Sequence, residues 1–200
     1  MIYAILGSLI LGAFSGYFIL PKNILSNLDF ISNIALNLLL LSVGIDLGEN
    51  KEVFKSLKEK GFKILLVPLS IVIGSAIGGI ICSIIYTIPI NLGLSISSGF
   101  GWYSLSTVIL SKICNSEAGT IAFLSNVFRE IISVVIIPII AKKINFITSI
   151  APAGATSMDS TLPVIIKSTD KETVVIAFIN GAILSILVPI LVPLFYNLKF

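Results

Sequence analysis

A short stretch near residue 159 combines an acidic residue with small and hydroxyl side chains inside an otherwise apolar sequence. It reads Ala153-Gly154-Ala155-Thr156-Ser157-Met158-Asp159-Ser160-Thr161-Leu162-Pro163. Glycine and proline interrupt helices, and the free backbone groups at such a break can coordinate ions in a membrane protein. We therefore predict a discontinuous helix in which Asp159, with Thr156 and Ser157, binds substrate or a proton. The alternative is that Asp159 caps a short surface helix.

Two adjacent charges, Arg129 and Glu130, lie in the middle of another apolar stretch. Neighbouring residues on a helix point about 100° apart, so the two side chains cannot easily neutralise each other. Each needs a partner from another helix. The pair is either part of a structural interhelical ion pair or part of the substrate or proton site.

A third candidate is a run rich in serine and glycine. It reads Ser97-Ser98-Gly99-Phe100-Gly101-Trp102-Tyr103-Ser104. Within a membrane, such backbone is tolerated only where protein or a water-filled cavity supplies hydrogen-bond partners. A simple kink would satisfy the pattern. We predict instead a broken helix whose Gly99, Gly101, Trp102 and Ser104 line the binding site.

The residue types that the sequence lacks limit the reactions and metal sites that it can support. The sequence contains no histidine, which removes the commonest general base and metal ligand. Cys82 and Cys114 are far apart and read as small buried residues. We expect no metal, no cofactor and no enzymatic activity. An intramembrane aspartyl protease would have to pair Asp46 with Asp159, but the Gly-x-Gly-Asp arrangement of those enzymes is missing.

The composition requires lipid as the solvent for these residues. Hydrophobic residues make up 56% of the chain and charged residues 12%, and the mean hydropathy is +1.09. Soluble domains carry roughly twice that charge. The net charge of +3 does not suggest nucleic acid. We predict an all-α polytopic membrane protein, a transporter-like bundle with two discontinuous or re-entrant helices.

Seven apolar stretches are candidates to position these residues in the membrane, since a crossing helix needs about 20 mostly apolar residues. They are 2–20, 28–46, 63–86, 91–112 (broken), 117–141, 146–166 (broken or re-entrant) and 172–197. No soluble domain fits between them, so we predict a single transmembrane domain over 1–200. The first stretch has no preceding charge or cleavage site, and we expect it to be retained.

The positions of the lysines predict the orientation of the chain in the membrane, and the spacing of small residues predicts which helix faces pack together. The lysines between Gly48 and Lys63 predict a cytoplasmic loop, with the N-terminus inside and Lys22 outside. Lysines beyond residue 112 do not decide where the C-terminus lies. Small residues spaced four apart predict packing seams between helices. The clearest such series is Ser70, Gly74, Gly78 and Cys82.

Three motifs resemble those of the LysO-type lysine exporters. They are Ser98-Gly99-Phe100-Gly101-Trp102-Tyr103-Ser104-Leu105-Ser106, Arg129-Glu130, and Gly154-Ala155-Thr156-Ser157-Met158-Asp159 followed by Thr161-Leu162-Pro163. The similarity extends over nearly the whole chain. It implies export of L-lysine and toxic lysine analogues across the bacterial inner membrane. By position it also implies that Asp159 is the intramembrane acid for substrate or proton, with Arg129 and Glu130 in the same polar interior.

The chain departs from that family at three points. It lacks a further N-terminal set of spans, so it resembles the C-terminal part of a split exporter whose other part is a separate polypeptide. Thr107 stands where the family leads us to expect glycine. Ser125 and Asn126 stand where it leads us to expect an Asn-Asp pair, which removes one possible acidic group.

These observations together predict a secondary transporter that exports L-lysine, in exchange for a proton. Asp159 would bind the cation and Glu130 would assist. Alternative substrates are arginine, ornithine or another small charged metabolite, because one acidic group recognises any of these cations. The sequence is also compatible with a subunit active only with a separate N-terminal half, with a homo-oligomer, and with a structural subunit that has no transport activity.

Overall fold

The structure, a computed structural model, describes residues 64–198 and the isolated helical positions 11, 14, 15, 34, 38, 41 and 45. Contacts within the chain divide it into two compact units, Met1–Ile45 and Asp46–Phe200. The predicted spans 2–20 and 28–46, the lysine-rich loop and the orientation derived from it lie outside the described residues. The assignment of one domain over 1–200 stays a prediction.

The second unit is helical throughout its described part, residues 64–198, where no strand occurs. Its helices are α1 (Leu66–Tyr86), α2 (Ile90–Ser97), α3 (Tyr103–Ile113), α4 (Ser116–Lys143), α5 (Leu162–Ser168) and α6 (Lys171–Asn197). Two short 3-10 segments, Thr148–Ile150 and Gly154–Met158, lie between α4 and α5. The predicted all-α class is confirmed for this part of the chain.

Three of these helices, α1, α4 and α6, are long and apolar enough to cross a membrane. They contain 21, 28 and 27 residues. At about 1.5 Å per residue, even the shortest is about 31 Å long, which matches a hydrocarbon core of about 30 Å. They occupy the stretches predicted as spans at 63–86, 117–141 and 172–197. The chain is therefore a membrane protein.

The remaining two predicted spans of this unit contain shorter elements. The 91–112 stretch holds α2 and α3, which have 8 and 11 residues and are separated by a turn over residues 98–102. The 146–166 stretch holds the two 3-10 segments and the first residues of α5. Neither α2 nor α3 alone has the roughly 20 residues that a membrane crossing requires.

Helices α1 and α2 meet at two glycines. A Cβ added at Gly93 would lie 2.7 Å from the Gly79 carbonyl oxygen, and a Cβ at Gly79 would lie 2.7 Å from the Gly93 oxygen. Such close approach of two backbones is the usual way in which membrane helices pack. The predicted seam lies one residue away, and a Cβ at Gly74 or Gly78 would meet no atom of residues 64–198 within 4 Å.

Of the three long helices, α6 is the most buried, and it packs against both α2 and the 3-10 segment Gly154–Met158. Ser95 of α2 donates a hydrogen bond to the Val192 carbonyl (2.6 Å). On another face, a Cβ added at Gly181 would lie 2.6 Å from the Met158 backbone nitrogen. The glycine therefore lets the 3-10 segment Gly154–Met158 lie directly on α6.

We expect Gly93→Ala to lower the midpoint of thermal unfolding in detergent. The new methyl group would press on the Gly79 carbonyl, and overpacking of this kind costs about 1–3 kcal/mol. Gly78→Ala is the matched control, because its methyl group meets open space and alanine favours a helix by about 0.5–1 kcal/mol. Equal midpoints for the two variants would contradict the crossing at Gly93.

Candidate functional site

The turn between α2 and α3 is built from backbone conformations that are rare in L-residues. Phe100 has φ +46° and Gly101 has φ +95°. Gly101 is a position where glycine is required, because a side chain at that φ is strained. Phe100 is 1% exposed, so its buried ring holds the turn in place.

Asn126 of α4 clamps this turn. Its Oδ1 accepts a hydrogen bond from the Gly101 backbone N–H (2.7 Å), and its Nδ2 donates to the Ala122 carbonyl (2.9 Å). A Cβ added at Gly99 would lie 2.5 Å from Asn126 Nδ2. The two predicted glycines are therefore buried positions of close approach. Trp102 and Ser104, which were also predicted to line the site, are partly buried at the start of α3.

The two irregular segments touch at one point. The Ala155 backbone N–H donates a hydrogen bond to the Phe100 carbonyl (2.8 Å). The preceding residue, Gly154, has φ +61°, and a Cβ added to it would collide with the same carbonyl. The chain thus brings the serine- and glycine-rich run and the Asp159 stretch together, backbone against backbone.

Hydroxyl groups hold the segment that leads to Asp159. Thr156 Oγ1 donates to the Ala153 carbonyl (2.8 Å) and lies 3.1 Å from Thr161 Oγ1. Ser157 Oγ lies 2.7 Å from the Ala177 carbonyl oxygen of α6. Thr156 and Ser157 are both buried and bonded within the protein, and their predicted role as ligands stays a prediction.

Asn180 of α6 was not identified from the sequence. Its Nδ2 donates to the Gly154 carbonyl (3.0 Å) and lies 3.0 Å from Ser157 Oγ. Its Oδ1 is buried and has no hydrogen-bond partner among the described residues. An unpaired buried acceptor costs about 1–3 kcal/mol. The signal in the sequence was an amide side chain inside an apolar helix.

The two acids of the predicted site meet at Ser160. The Glu130 side chain is 3% exposed, and its carboxylate lies next to the Ser160 hydroxyl and interacts electrostatically with Asp159. The Ser160 backbone N–H donates to Asp159 Oδ1, and Asp159 is exposed. Tyr103, buried at the start of α3, interacts electrostatically with both acids. Sequence reasoning assigned no role to Tyr103 or Ser160.

Arg129 points to a different group of partners. Its Nε donates to the Pro152 carbonyl (3.1 Å), and its two terminal nitrogens donate to Ser75 Oγ (3.0 Å) and the Ala151 carbonyl (3.3 Å). Within residues 64–198, all of its hydrogen bonds go to neutral oxygens. A structural ion pair between helices therefore does not hold Arg129 in this part of the chain.

Two cavities meet at Arg129 and Ser75, which line both. One has a volume of about 430 Å³ and lies beside the first half of α1, with Gly74 and Pro152 in its wall. The other has a volume of about 710 Å³ and lies beside the second half of α1, with Ser97 and Asn126 in its wall. Arg129 and Ser75 are the residues that the two cavity walls share.

The remaining sequence expectations concern metals and thiols. The described residues contain no cluster of three or more His, Cys, Asp or Glu side chains that could hold a metal ion. Both cysteines are free; Cys114 is partly buried, and Cys82 is exposed on α1. The expectation that Cys82 is buried was wrong, because α1 turns that side of its surface away from α2.

Comparison with known proteins identifies related sequences. The family model described as "Lysine exporter LysO" matches residues 6–196. The "Lysine exporter LysO" of Escherichia coli (strain K12) is 40% identical over 166 residues, which cover 82% of this chain and 54% of that protein. The chain thus spans about half the length of that relative.

A second relative is closer in length. The "Putative lysine exporter" of Haemophilus influenzae (strain ATCC 51907 / DSM 11121 / KW20 / Rd) is 39% identical over 161 residues, covering 78% of this chain and 80% of that protein. No solved structure matches the chain.

We expect Asn126→Ala to destabilise the turn between α2 and α3. The substitution leaves the buried Gly101 N–H without its acceptor, which costs about 1–3 kcal/mol, and should lower the midpoint of thermal unfolding. Ser125→Ala, at the exposed neighbouring position, is the control and should leave the midpoint unchanged. A normal midpoint for Asn126→Ala would show that the clamp contributes nothing.

Proposed function

The chain belongs to the lysine exporter LysO family, and from that premise we propose that it is a secondary transporter that exports L-lysine across the bacterial inner membrane. The observation that carries this proposal is the meeting of Glu130 and Asp159 at Ser160. Ionisable residues inside a membrane protein are costly and are retained where they bind substrate or protons. An acidic site suits a cationic amino acid.

The two irregular segments supply the framework for this site. We propose that α2–α3 and the 146–168 segment act as a pair of discontinuous helices, joined by the hydrogen bond from Ala155 to Phe100. Discontinuous helices in transporters place free backbone groups near the middle of the bilayer, where substrates bind. Asp159 follows directly after the 3-10 segment Gly154–Met158, and we infer that it takes such a position.

Proton antiport would balance the charge that lysine carries. Moving a cation out against an inside-negative potential costs about 2.3 kcal/mol per 100 mV, and a proton entering in exchange cancels that cost. Two nearby carboxylates repel each other when both are ionised. The pair therefore favours holding either a proton or the ammonium group of the substrate, which couples the two movements.

The substrate and the assembly are part of the same proposal. Lysine is the first candidate because both relatives are named lysine exporters. Arginine and ornithine carry the same charge and are the rival substrates, and lysine analogues should share the site. The residues described here would work alone, in a homo-oligomer, or with a separate polypeptide that corresponds to the remaining half of the longer relative.

Asp159→Asn should abolish lysine efflux from lysine-loaded cells that express the chain, because the amide keeps the shape of the side chain and loses its charge. Asp170→Asn is the matched control. Asp170 caps α6 by accepting a hydrogen bond from the Thr173 N–H (2.8 Å), and asparagine caps equally well. Normal efflux from Asp159→Asn, at equal expression, would refute the proposed site.

Glu130→Gln should separate exchange from net transport. Without the second carboxylate we expect lysine–lysine exchange to continue in proteoliposomes, while lysine movement driven by a pH gradient falls at least tenfold. The control is Glu117→Gln, which removes an exposed acid from the first turn of the same helix and should change neither rate. Equal loss of both activities would argue against a role in proton coupling.

The unmodified chain also tests whether a partner is needed. Lysine efflux from cells that express it alone would establish a self-sufficient exporter. Efflux of arginine or ornithine but not of lysine would show that one of these amino acids, and not lysine, is the substrate. Efflux that appears only with a co-expressed polypeptide corresponding to the half of the longer relative that this chain does not match would establish a split transporter.

A further inference from the structure

We propose that Arg129 binds the α-carboxylate of the transported amino acid, so that the protein selects amino acids over amines that carry the same positive charge. This inference rests on the proposed function, since it assigns the part of the substrate that the two acids cannot recognise. Lysine carries an ammonium group at the end of its side chain and a carboxylate at the other end. Glu130 and Asp159 suit only the ammonium group.

The guanidinium group of Arg129 has unused donors. An arginine side chain has five N–H groups. Three of these donate hydrogen bonds: the single N–H of Nε and one N–H on each of the two terminal nitrogens. One N–H on each terminal nitrogen therefore has no acceptor within residues 64–198. Two terminal N–H groups are what a guanidinium uses to bind a carboxylate in a bidentate manner.

The positive charge of Arg129 also has no counter-ion in the described residues. Its acceptors are the Ser75 hydroxyl and the carbonyls of Ala151 and Pro152, all neutral. A charge held inside a membrane protein without an opposite charge is unfavourable, and such residues pair with ions or line water-filled paths. A substrate carboxylate would supply the missing negative charge.

The surrounding space can accept a substrate. Arg129 and Ser75 lie in the wall of both cavities beside α1, whose volumes are about 430 and 710 Å³. Pockets for small molecules typically measure about 300–1,000 Å³. A carboxylate bound in either cavity would therefore have Arg129 in the wall beside it.

The neighbouring residue explains how one substrate could reach both charges. Arg129 and Glu130 are adjacent in α4, and side chains of adjacent residues point about 100° apart. The helix thus presents a cation on one side and an acid on the next. A flexible amino acid with a charged end group can span two such faces. An amine without a carboxylate would use the acidic face alone.

Arg129→Gln should change selectivity rather than simply remove transport. We expect efflux of labelled lysine from proteoliposomes to fall at least tenfold, while efflux of 1,5-diaminopentane, which is lysine without its carboxylate, stays within twofold of the unmodified protein. Arg129→Lys keeps the positive charge but cannot bind a carboxylate through two N–H groups at once. It should lower lysine efflux by an intermediate amount. Thr120→Ala is the control, because its exposed hydroxyl on the same helix donates to the Ser116 carbonyl (2.9 Å) and its loss should leave the ratio of the two rates unchanged.

A binding measurement keeps the test independent of transport. Lysine should raise the thermal unfolding midpoint of the purified protein more than lysinamide does, and Arg129→Gln should remove that difference. Equal losses for lysine and the diamine, or an unchanged preference for lysine over lysinamide, would overturn the proposal and leave Arg129 a structural residue. A protein that shows this preference but exports no lysine would contradict the proposed function alone.

Discussion

The hydrogen bond from the Ala155 N–H to the Phe100 carbonyl is the contact on which the rest of this arrangement depends. Helix interiors satisfy their own backbone groups, but residues 98–102 and 153–161 do not form regular helix and need partners elsewhere. Each segment supplies a partner for the other. Gly154 makes this possible, because any side chain there would collide with the Phe100 carbonyl.

The same constraint explains why polar side chains gather around the two segments. Asn126 satisfies the turn from α4, and Asn180 and Ser157 tie the other segment to α6. Arg129 donates to carbonyls at residues 151 and 152, just before Gly154. These hydrogen bonds, of 2.7–3.3 Å, hold irregular backbone inside an apolar protein. The acids Glu130 and Asp159 lie beside this framework, at Ser160.

Most residues that hold the two irregular segments in place are therefore different from the residues of the proposed substrate site. Thr156, Ser157, Gly99 and Gly101 take part in packing or internal hydrogen bonds, and their role as ligands stays a prediction. In the proposed site, the charges of Glu130, Asp159 and Arg129 are available to bind substrate. In the proposed exporter, the two acids would bind the ammonium group of lysine and Arg129 would bind its carboxylate, so that site and substrate would be complementary.

The sequence by itself determined the membrane environment, the all-α class, the three long helices α1, α4 and α6, and the two interrupted stretches, because hydropathy and helix breakers are local properties. It also singled out Asp159, Glu130 and Arg129, since charges are conspicuous among apolar residues. Only the tertiary structure decided that Glu130 faces Ser160 and Asp159 while Arg129 faces Ser75. It also revealed Asn180 and its Oδ1, which has no hydrogen-bond partner within residues 64–198. These relations join residues far apart in the chain, and helical periodicity does not specify which neighbours a face will meet.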